Sequence, residues 1–206
     1  GRGKLLVFTG APADVTGVLY GRCIRRLSRL MCPGWRCDGE AVNFSVFPED
    51  DEAWTLFCGE RRGRGEVPPA RLYLADTRWP GGPENTSCTL RAMGRRMPLE
   101  WKAGRVKSVF VSGRLMLASA GDRAYFERAA PRPEGYEMLV RGDGRETITV
   151  LPLDGEVEAV ECAGEEPELR PRARGSRAVR FELDVRHHTR FRVKLKHKNT
   201  QKDGRS

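Results

Sequence analysis

Histidine is scarce in this chain, and its scarcity limits the chemistry that the chain can perform. The three histidines among 206 residues, His187, His188 and His197, all lie near the C-terminus. The sequence also lacks a GxSxG nucleophile motif, a GxxxxGK[ST] phosphate loop and an HExxH zinc motif. Because these patterns accompany common kinds of hydrolytic chemistry, we expect that the protein is not an enzyme and needs no cofactor.

Long apolar segments are absent as well. No apolar run approaches the ~20 residues that a membrane-spanning helix needs, so we expect no membrane contact. The chain begins Gly-Arg-Gly, without an initiator Met or an apolar signal region. We therefore expect a domain excised from a longer protein, with an intracellular location and the nucleus as one candidate compartment.

Regularly spaced cysteines are the third absence. The six cysteines are Cys23, Cys32, Cys37, Cys58, Cys88 and Cys162. Only Cys32 and Cys37, in CPGWRC, lie close together, and no second cysteine pair or spaced histidine pair follows them. We expect no bound metal. A chain of this length also has enough residues to form a core without a set of secreted disulfides.

Short alternating strands dominate what the sequence does contain. After Pro33, segments rich in Val, Leu and Phe recur at roughly ten-residue intervals, separated by Gly, Pro and Asp. This pattern predicts a mainly β protein, an antiparallel β-sandwich or barrel of about ten short strands. The expected strands occupy 41–47, 53–59, 70–76, 105–120 with a turn at 112–114, 136–142, 146–153 and 156–162, and a basic hairpin ends the fold.

One N-terminal amphipathic helix is predicted over residues 14–31. Asp14 is a suitable N-cap, and Pro33 prevents continuation. At 100° per residue the apolar side chains, among them Leu19 and Leu27, lie on one side. Another side carries Arg22, Arg25, Arg26 and Arg29.

Two further segments have turn and loop composition. Residues 60–69 and 78–100 are rich in Gly, Pro and Arg, so we expect long loops there. RGDG at 141–144 lies between two alternating segments, and its Asp-Gly predicts a type I′ turn.

The C-terminal segment 179–196 contains two alternating runs separated by HHT at 187–189. We interpret them as a hairpin with a three-residue connection. In this pairing Asp184 faces Arg192 and Glu182 faces Lys194, and the outer face keeps a surplus of positive charge. From the whole pattern, the expected buried residues are Leu19, Leu27, Trp54, Phe110, Val111, Phe181, Leu183 and Phe191.

Positive charge is concentrated at the C-terminus. The net charge is +9, and residues 170–206 contain 13 Lys or Arg against three acids. Such asymmetry indicates an acidic partner, and nucleic acid is the favoured candidate. A competing interpretation is that the acidic segment 154–168 neutralises the neighbouring arginines. Trp35, Trp79 and Trp101 are aromatic candidates for stacking on unpaired bases.

The sequence therefore leaves two hypotheses of function. The first is a nucleic-acid-binding β domain, for DNA or RNA, that grips phosphates through the hairpin and its flanks. The predicted contacts are Arg172, Arg174, Arg177, Arg186, Arg190, Arg192, Lys194, Lys196 and Lys198, with Arg22, Arg25, Arg26 and Arg29 on the helix. The second is a non-enzymatic protein-interaction or self-assembly domain, with a protein partner or a second copy, whose basic tail is incidental.

The predicted organisation is one β-rich domain over 1–197 and a flexible basic tail over 198–206. In composition, this arginine-rich β domain with irregularly spaced cysteines resembles regulatory or structural proteins of large DNA viruses. We therefore expect a larger, viral parent protein of that kind.

Overall fold

The computed structural model describes residues 35–38, 42–49, 67, 69–76, 84–121, 123–164, 166–173 and 175–196. These ranges contain twelve β-strands and no helix, which confirms the prediction of a mainly β protein. The strands are β1 (Trp35–Asp38), β2 (Val42–Pro48), β3 (Ala70–Asp76), β4 (Asn85–Ala92), β5 (Arg95–Lys102), β6 (Val106–Val111), β7 (Leu115–Ser119), β8 (Ala124–Arg132), β9 (Gly135–Pro152), β10 (Glu156–Cys162), β11 (Arg170–Pro171) and β12 (Val179–Lys196).

Several predicted elements lie outside the described residues. They are the helix at 14–31, the strand at 53–59 and the tail at 198–206. The described ranges contain no helix that is long and apolar enough to cross a bilayer.

The strands form two antiparallel sheets. The smaller sheet has the order β1-β4-β5. The larger has nine strands in the order β10-β12-β9-β7-β6-β3-β2, with β8 paired to β9 and β11 paired to β12. Neither sheet closes into a barrel.

The two longest strands, β9 and β12, pair with each other from Val179 opposite Val150 to Lys194 opposite Gly135. Both halves of β12 nevertheless contribute to one hydrophobic core. The ring centroids of Phe181 and Phe191 are 5.3 Å apart. A straight strand would separate residues ten positions apart by about 33 Å. The paired strands are therefore bent, so that their two halves face each other.

The bend has a local backbone cause. Gly144 of β9 and His187 of β12 have positive φ angles of 91° and 55°, and they lie within two positions of each other across the ladder. Glycine adopts this left-handed conformation without a steric cost. Gly142 lies nearby, and a Cβ there would approach the carbonyl oxygen of Arg123 to 2.2 Å.

The bend divides the larger sheet into two layers, and the smaller sheet covers the first of these on its other side. One core cluster packs β1, β4 and β5 against β3, β6 and β7, and includes Trp35, Leu90 and Val109. The second lies between the two halves of the bent sheet, and includes Phe110 and Phe181.

The central strands are buried on both faces for this reason. In β7, Met116 belongs to the first cluster and Leu117 to the second, and both have no exposed surface. Strands buried on both faces have continuous apolar sequences. The predicted burial of Phe110, Val111, Phe181, Leu183 and Phe191 is confirmed. Leu19, Leu27 and Trp54, predicted with them, lie outside the described residues.

Side chains, not a strand ladder, join β8 to the opposite layer. Ser108 Oγ accepts a hydrogen bond from the Phe126 amide at 2.9 Å, and Glu49 Oε2 accepts one from the Ala129 amide at 3.0 Å. The Tyr73 hydroxyl donates to the Phe126 carbonyl at 2.6 Å. These contacts satisfy backbone groups on the β8 edge without pairing it to another strand. The arrangement is therefore sandwich-like.

The predicted C-terminal hairpin is wrong, because 179–196 is one continuous strand. Its Asp184 lies opposite Arg145, and its Arg192 lies opposite Glu137. The predicted turn at 141–144 is wrong for the same reason, since that segment is interior to β9. In both strands the apolar positions keep the same parity on either side of the polar segment, which is compatible with an uninterrupted strand.

The loop predicted at 78–100 is also wrong over 85–100. β4 and β5 form a hairpin there, joined by Met93 and Gly94 with φ angles of 47° and 73°. Positive φ at both central residues is characteristic of a type I′ turn. Pro98 argued against a strand in this segment, because proline cannot donate a backbone hydrogen bond. It is tolerated here because β5 is an edge strand of its sheet.

Candidate nucleic-acid interface

The structure separates the predicted phosphate contacts into groups with different surroundings. Six of them lie outside the described residues, namely Arg22, Arg25, Arg26, Arg29, Arg174 and Lys198. The others lie in the second half of β12, at its bend, or in the segment that joins β11 to β12.

The second half of β12 is largely neutralised by neighbouring acids. Arg192 Nε lies 2.9 Å from Glu137 Oε2, and Lys194 Nζ lies 2.5 Å from Glu161 Oε1. The hydrogen bond from Arg192, followed by one from Arg132, holds the pKa of Glu137 below its usual value. Lys196 lies opposite Glu156 in the ladder with β10. These acids lie on β9 and in the segment 154–168, and they offset most of the positive charge in this half of β12.

The bend of β12 carries charges of both signs. Arg186 pairs with Asp184 of its own strand at 3.0 Å, and both side chains are exposed. Arg190 is exposed and makes no ion pair within the described ranges. A cleft of about 880 Å³ lies here, lined by the basic Arg145, Arg186 and Arg190 and by the acidic Glu166, Glu182 and Asp184. The formal charges of these six side chains cancel, so the cleft is not a basic surface.

A different surface, at the start of β12, has an excess of positive charge. We name it the arginine cluster and define it as Arg170, Arg172, Arg177 and Arg180. Arg170 lies directly opposite Arg180 in the short ladder between β11 and β12. The pKa of Arg172 is lowered, first by partial burial and then by the positive charge of Arg180. Arginine side chains of like charge thus share one face of this short ladder.

Backbone hydrogen bonds fix the loop that carries the cluster. The Arg172 amide donates to the Ala178 carbonyl at 2.8 Å, and the Ser176 amide donates to the Ala173 carbonyl at 3.0 Å. Ala178 is anchored in the first core cluster. On the other side, Arg172 Nη2 donates to the Pro98 carbonyl of β5 at 3.1 Å. These contacts tie Arg172 and Ala178, near the two ends of the loop, to the neighbouring strands.

Few acids are available to neutralise the arginine cluster. Arg170 pairs with Glu168 at 2.7 Å, and both side chains are more than 70% exposed. Glu182, the other nearby acid, pairs with Arg145 at 3.2 Å. Within the described part of the chain, Arg172, Arg177 and Arg180 have no carboxylate partner. Their charge remains available to an external anion.

Two of the three aromatic candidates for base stacking belong to the core. Trp35 and Trp101 are only 3% and 4% exposed, so their rings are not accessible for stacking on a base. Trp101 Nε1 donates to the Arg105 carbonyl at 3.1 Å. Trp79 lies outside the described residues. Among those that are described, no group of three or more His, Cys, Asp or Glu is arranged to hold a metal ion.

A comparison with protein-family models and with curated proteins finds no match to this chain. The sequence prediction included Arg172 and Arg177 but missed Arg170 and Arg180, which complete the cluster. The signal was present in RPRARGSRAVR at 170–180, where arginine recurs without an intervening acid.

Proposed function

We propose that this β domain binds nucleic acid through the arginine cluster. The observation that carries the proposal is the ladder that sets Arg170 directly opposite Arg180, with Arg172 two positions along from Arg170. In the described structure Arg172 and Arg180 lack a carboxylate partner. A bound phosphate offsets this unpaired positive charge. Guanidinium groups suit the role because they stay protonated and bind phosphate oxygens through two parallel hydrogen bonds.

A polymer of phosphates suits the surface better than a single anion. The arginines extend from Arg170 on β11 through the exposed Arg177 in the loop to the exposed Arg180 on β12. By sequence, Arg174 adds a further positive charge to the same loop. A chain of phosphates contacts several such groups at once, and each contact releases condensed counterions.

The expected binding is independent of base sequence. Specific reading of bases commonly uses Asn or Gln beside Arg, and residues 168–182 contain neither. Contacts to the phosphate backbone position a protein but carry no sequence information. We therefore propose a backbone-binding module of a larger, viral or other regulatory or structural protein.

The test is a fluorescence-anisotropy titration of labelled single- and double-stranded oligonucleotides of random sequence. R172Q/R177Q/R180Q should weaken binding at least about tenfold relative to wild type, because three phosphate contacts are lost. R123Q/R128Q/R141Q is the matched control, since it removes the same charge from exposed arginines near or on β8 and β9. It should change the affinity much less.

Further comparisons distinguish the loss of phosphate contacts from loss of folding and from a change in net charge. R177Q/R180Q spares the hydrogen bond from Arg172 to β5 and should retain the wild-type melting temperature while losing affinity. If the cluster and control variants weaken binding equally, net charge and not this site determines affinity. If neither binds less than wild type, the proposal is wrong.

The alternative, a protein-interaction or self-assembly domain, gains no specific support. The described surface exposes one large hydrophobic side chain, Met93 at 49%. Stable self-association commonly buries a contiguous apolar patch. Light scattering after size exclusion measures this alternative directly.

A further inference from the structure

Two cysteines that are far apart in sequence meet in the first core cluster. Cys37 lies on β1 and Cys88 on β4, and their Sγ atoms are 3.2 Å apart. Both side chains are buried, with 7% and 6% of their surface exposed. Cys37 lies opposite Leu90, two positions from Cys88 on the same face of β4. The two thiols are therefore diagonal neighbours across one strand pair.

This pair is not the one that lies close together in the sequence. Cys32 and Cys37 are close in sequence, but Cys32 lies outside the described residues, and the neighbour of Cys37 comes from a strand 51 positions away. A long-range pair of this kind leaves no spacing motif.

We propose that Cys37 and Cys88 are a site of reversible oxidation that forms a disulfide between β1 and β4. A disulfide has a sulfur–sulfur bond of about 2.05 Å, so the two sulfurs must approach by about 1 Å. In the described structure β1 pairs with β4 alone, as the edge strand of its sheet. An edge strand has one backbone neighbour to restrain it, which makes a shift of this size feasible.

The oxidant required is a small-molecule disulfide. One protein thiolate attacks it and releases one small thiol, and the second protein sulfur then displaces the other. In the net reaction two S–H bonds break, one protein S–S bond forms, and two electrons and two protons pass to the oxidant. The oxidant leaves as two thiols. The same exchange in reverse returns the protein to the dithiol.

The surroundings make this oxidation slow. The hydrogen-bonded pairing with Cys37, with burial second, raises the pKa of Cys88, so its thiolate is scarce at neutral pH. Access also requires local opening of the strand pair. Cys162 offers a contrast, because it lies on β10 outside this core cluster and is partly exposed. It should react faster with the oxidant.

The test incubates the whole chain to equilibrium in buffers of oxidised and reduced glutathione. Free thiols are then alkylated, and proteolytic peptides are identified by mass spectrometry without reduction. A peptide pair joined through Cys37 and Cys88 is expected, with a rise in melting temperature on the order of 10 °C. Dithiothreitol should reverse both changes.

The cysteine variants distinguish this site from other thiols. C37S and C88S should each abolish the crosslink and the thermal shift, and C162S should preserve both. C37A/C88A provides a second variant in case a serine in the core prevents folding. Glutathione retained on Cys37 or Cys88 as a mixed disulfide, a crosslink to another cysteine, or dithiol persistence at equilibrium in oxidised glutathione would each overturn the proposal.

Discussion

The bend of β12 can be tested through the ring contact between Phe181 and Phe191. Phe181 is 2% exposed and Phe191 is 1% exposed, with ring centroids 5.3 Å apart and planes inclined at 67°. Replacing a fully packed phenylalanine with alanine costs about 3–5 kcal/mol. At about 2–4 °C per kcal/mol for a chain of this size, Phe181→Ala should lower the melting temperature by on the order of 10 °C.

A double-mutant cycle isolates the contact itself. Phe181→Leu, Phe191→Leu and the double variant keep the core apolar and should remain folded. Urea unfolding followed by circular dichroism gives the free energy of unfolding of each protein. Edge-to-face ring pairs contribute about 0.5–1.5 kcal/mol beyond area burial, and the coupling energy should fall in that range.

The alternative structure makes a different prediction for the same cycle. A hairpin centred on His188 would place Phe181 opposite Leu195 and well away from Phe191. The two substitutions would then be additive within about 0.3–0.5 kcal/mol. Additivity at that level, in variants with unchanged urea m-values, would refute the bent strand.

Three other perturbations follow from the geometry. The pKa of Glu137 is lowered, first by its hydrogen bond with Arg192, so this pairing stabilises the fold above pH 4.5 and is lost as pH falls. Glu137→Gln should therefore make the free energy of unfolding decline less steeply in acid. The difference should be less than about 1 kcal/mol because the pair is near the surface. Burial raises the pKa of Tyr73, so the free energy of unfolding should fall as pH rises beyond 10. Tyr73→Phe should remove this contribution to the alkaline decline. At neutral pH the same substitution should cost about 0.5–1.5 kcal/mol, because the hydrogen bond to the Phe126 carbonyl is lost. In Gly135→Ala the new Cβ would lie 1.9 Å from the carbonyl oxygen of Val193 on β12. The free energy of unfolding, measured by chemical denaturation, should fall by at least about 1–3 kcal/mol. The control is Gly113→Ala, whose Cβ would lie 3.7 Å from the nearest atom and should change stability little.

Local alternation was sufficient to predict individual strands. The expected bounds of β3 and β10 agree with the structure, and the predicted turn at 112–114 separates β6 from β7. Each of these strands has an apolar pattern and flanking turn residues within its own sequence. The sequence of β5 includes Pro98, which argues against a strand unless the edge position is known.

Continuity of the long strands was not predictable from alternation. In β12 the apolar positions keep the same parity on both sides of 187–189, which suits a three-residue hairpin and a continuous strand equally. The difference depends on β9, whose 18 residues pair with both halves of β12. That pairing is a long-range property, and local sequence contains little information about it.

The site was predictable in composition but not in charge balance. Basic residues in 170–206 were evident, yet the neutralisation of Arg192 by Glu137 depends on the register between β9 and β12. Likewise, the opposition of Arg170 and Arg180 depends on the short ladder between β11 and β12. The structure thus shifts the candidate interface from the C-terminal half of β12 to the arginine cluster.

The most direct test of nucleic-acid binding is the salt dependence of the affinity. The logarithm of the association constant falls with the logarithm of salt concentration by about 0.9 per phosphate contact on duplex DNA and about 0.7 on single strands. R172Q/R177Q/R180Q should therefore have a slope shallower than wild type by about 2–3 units on duplex DNA. R123Q/R128Q/R141Q should retain the wild-type slope. A cluster variant whose slope equals that of wild type would contradict phosphate binding by these arginines.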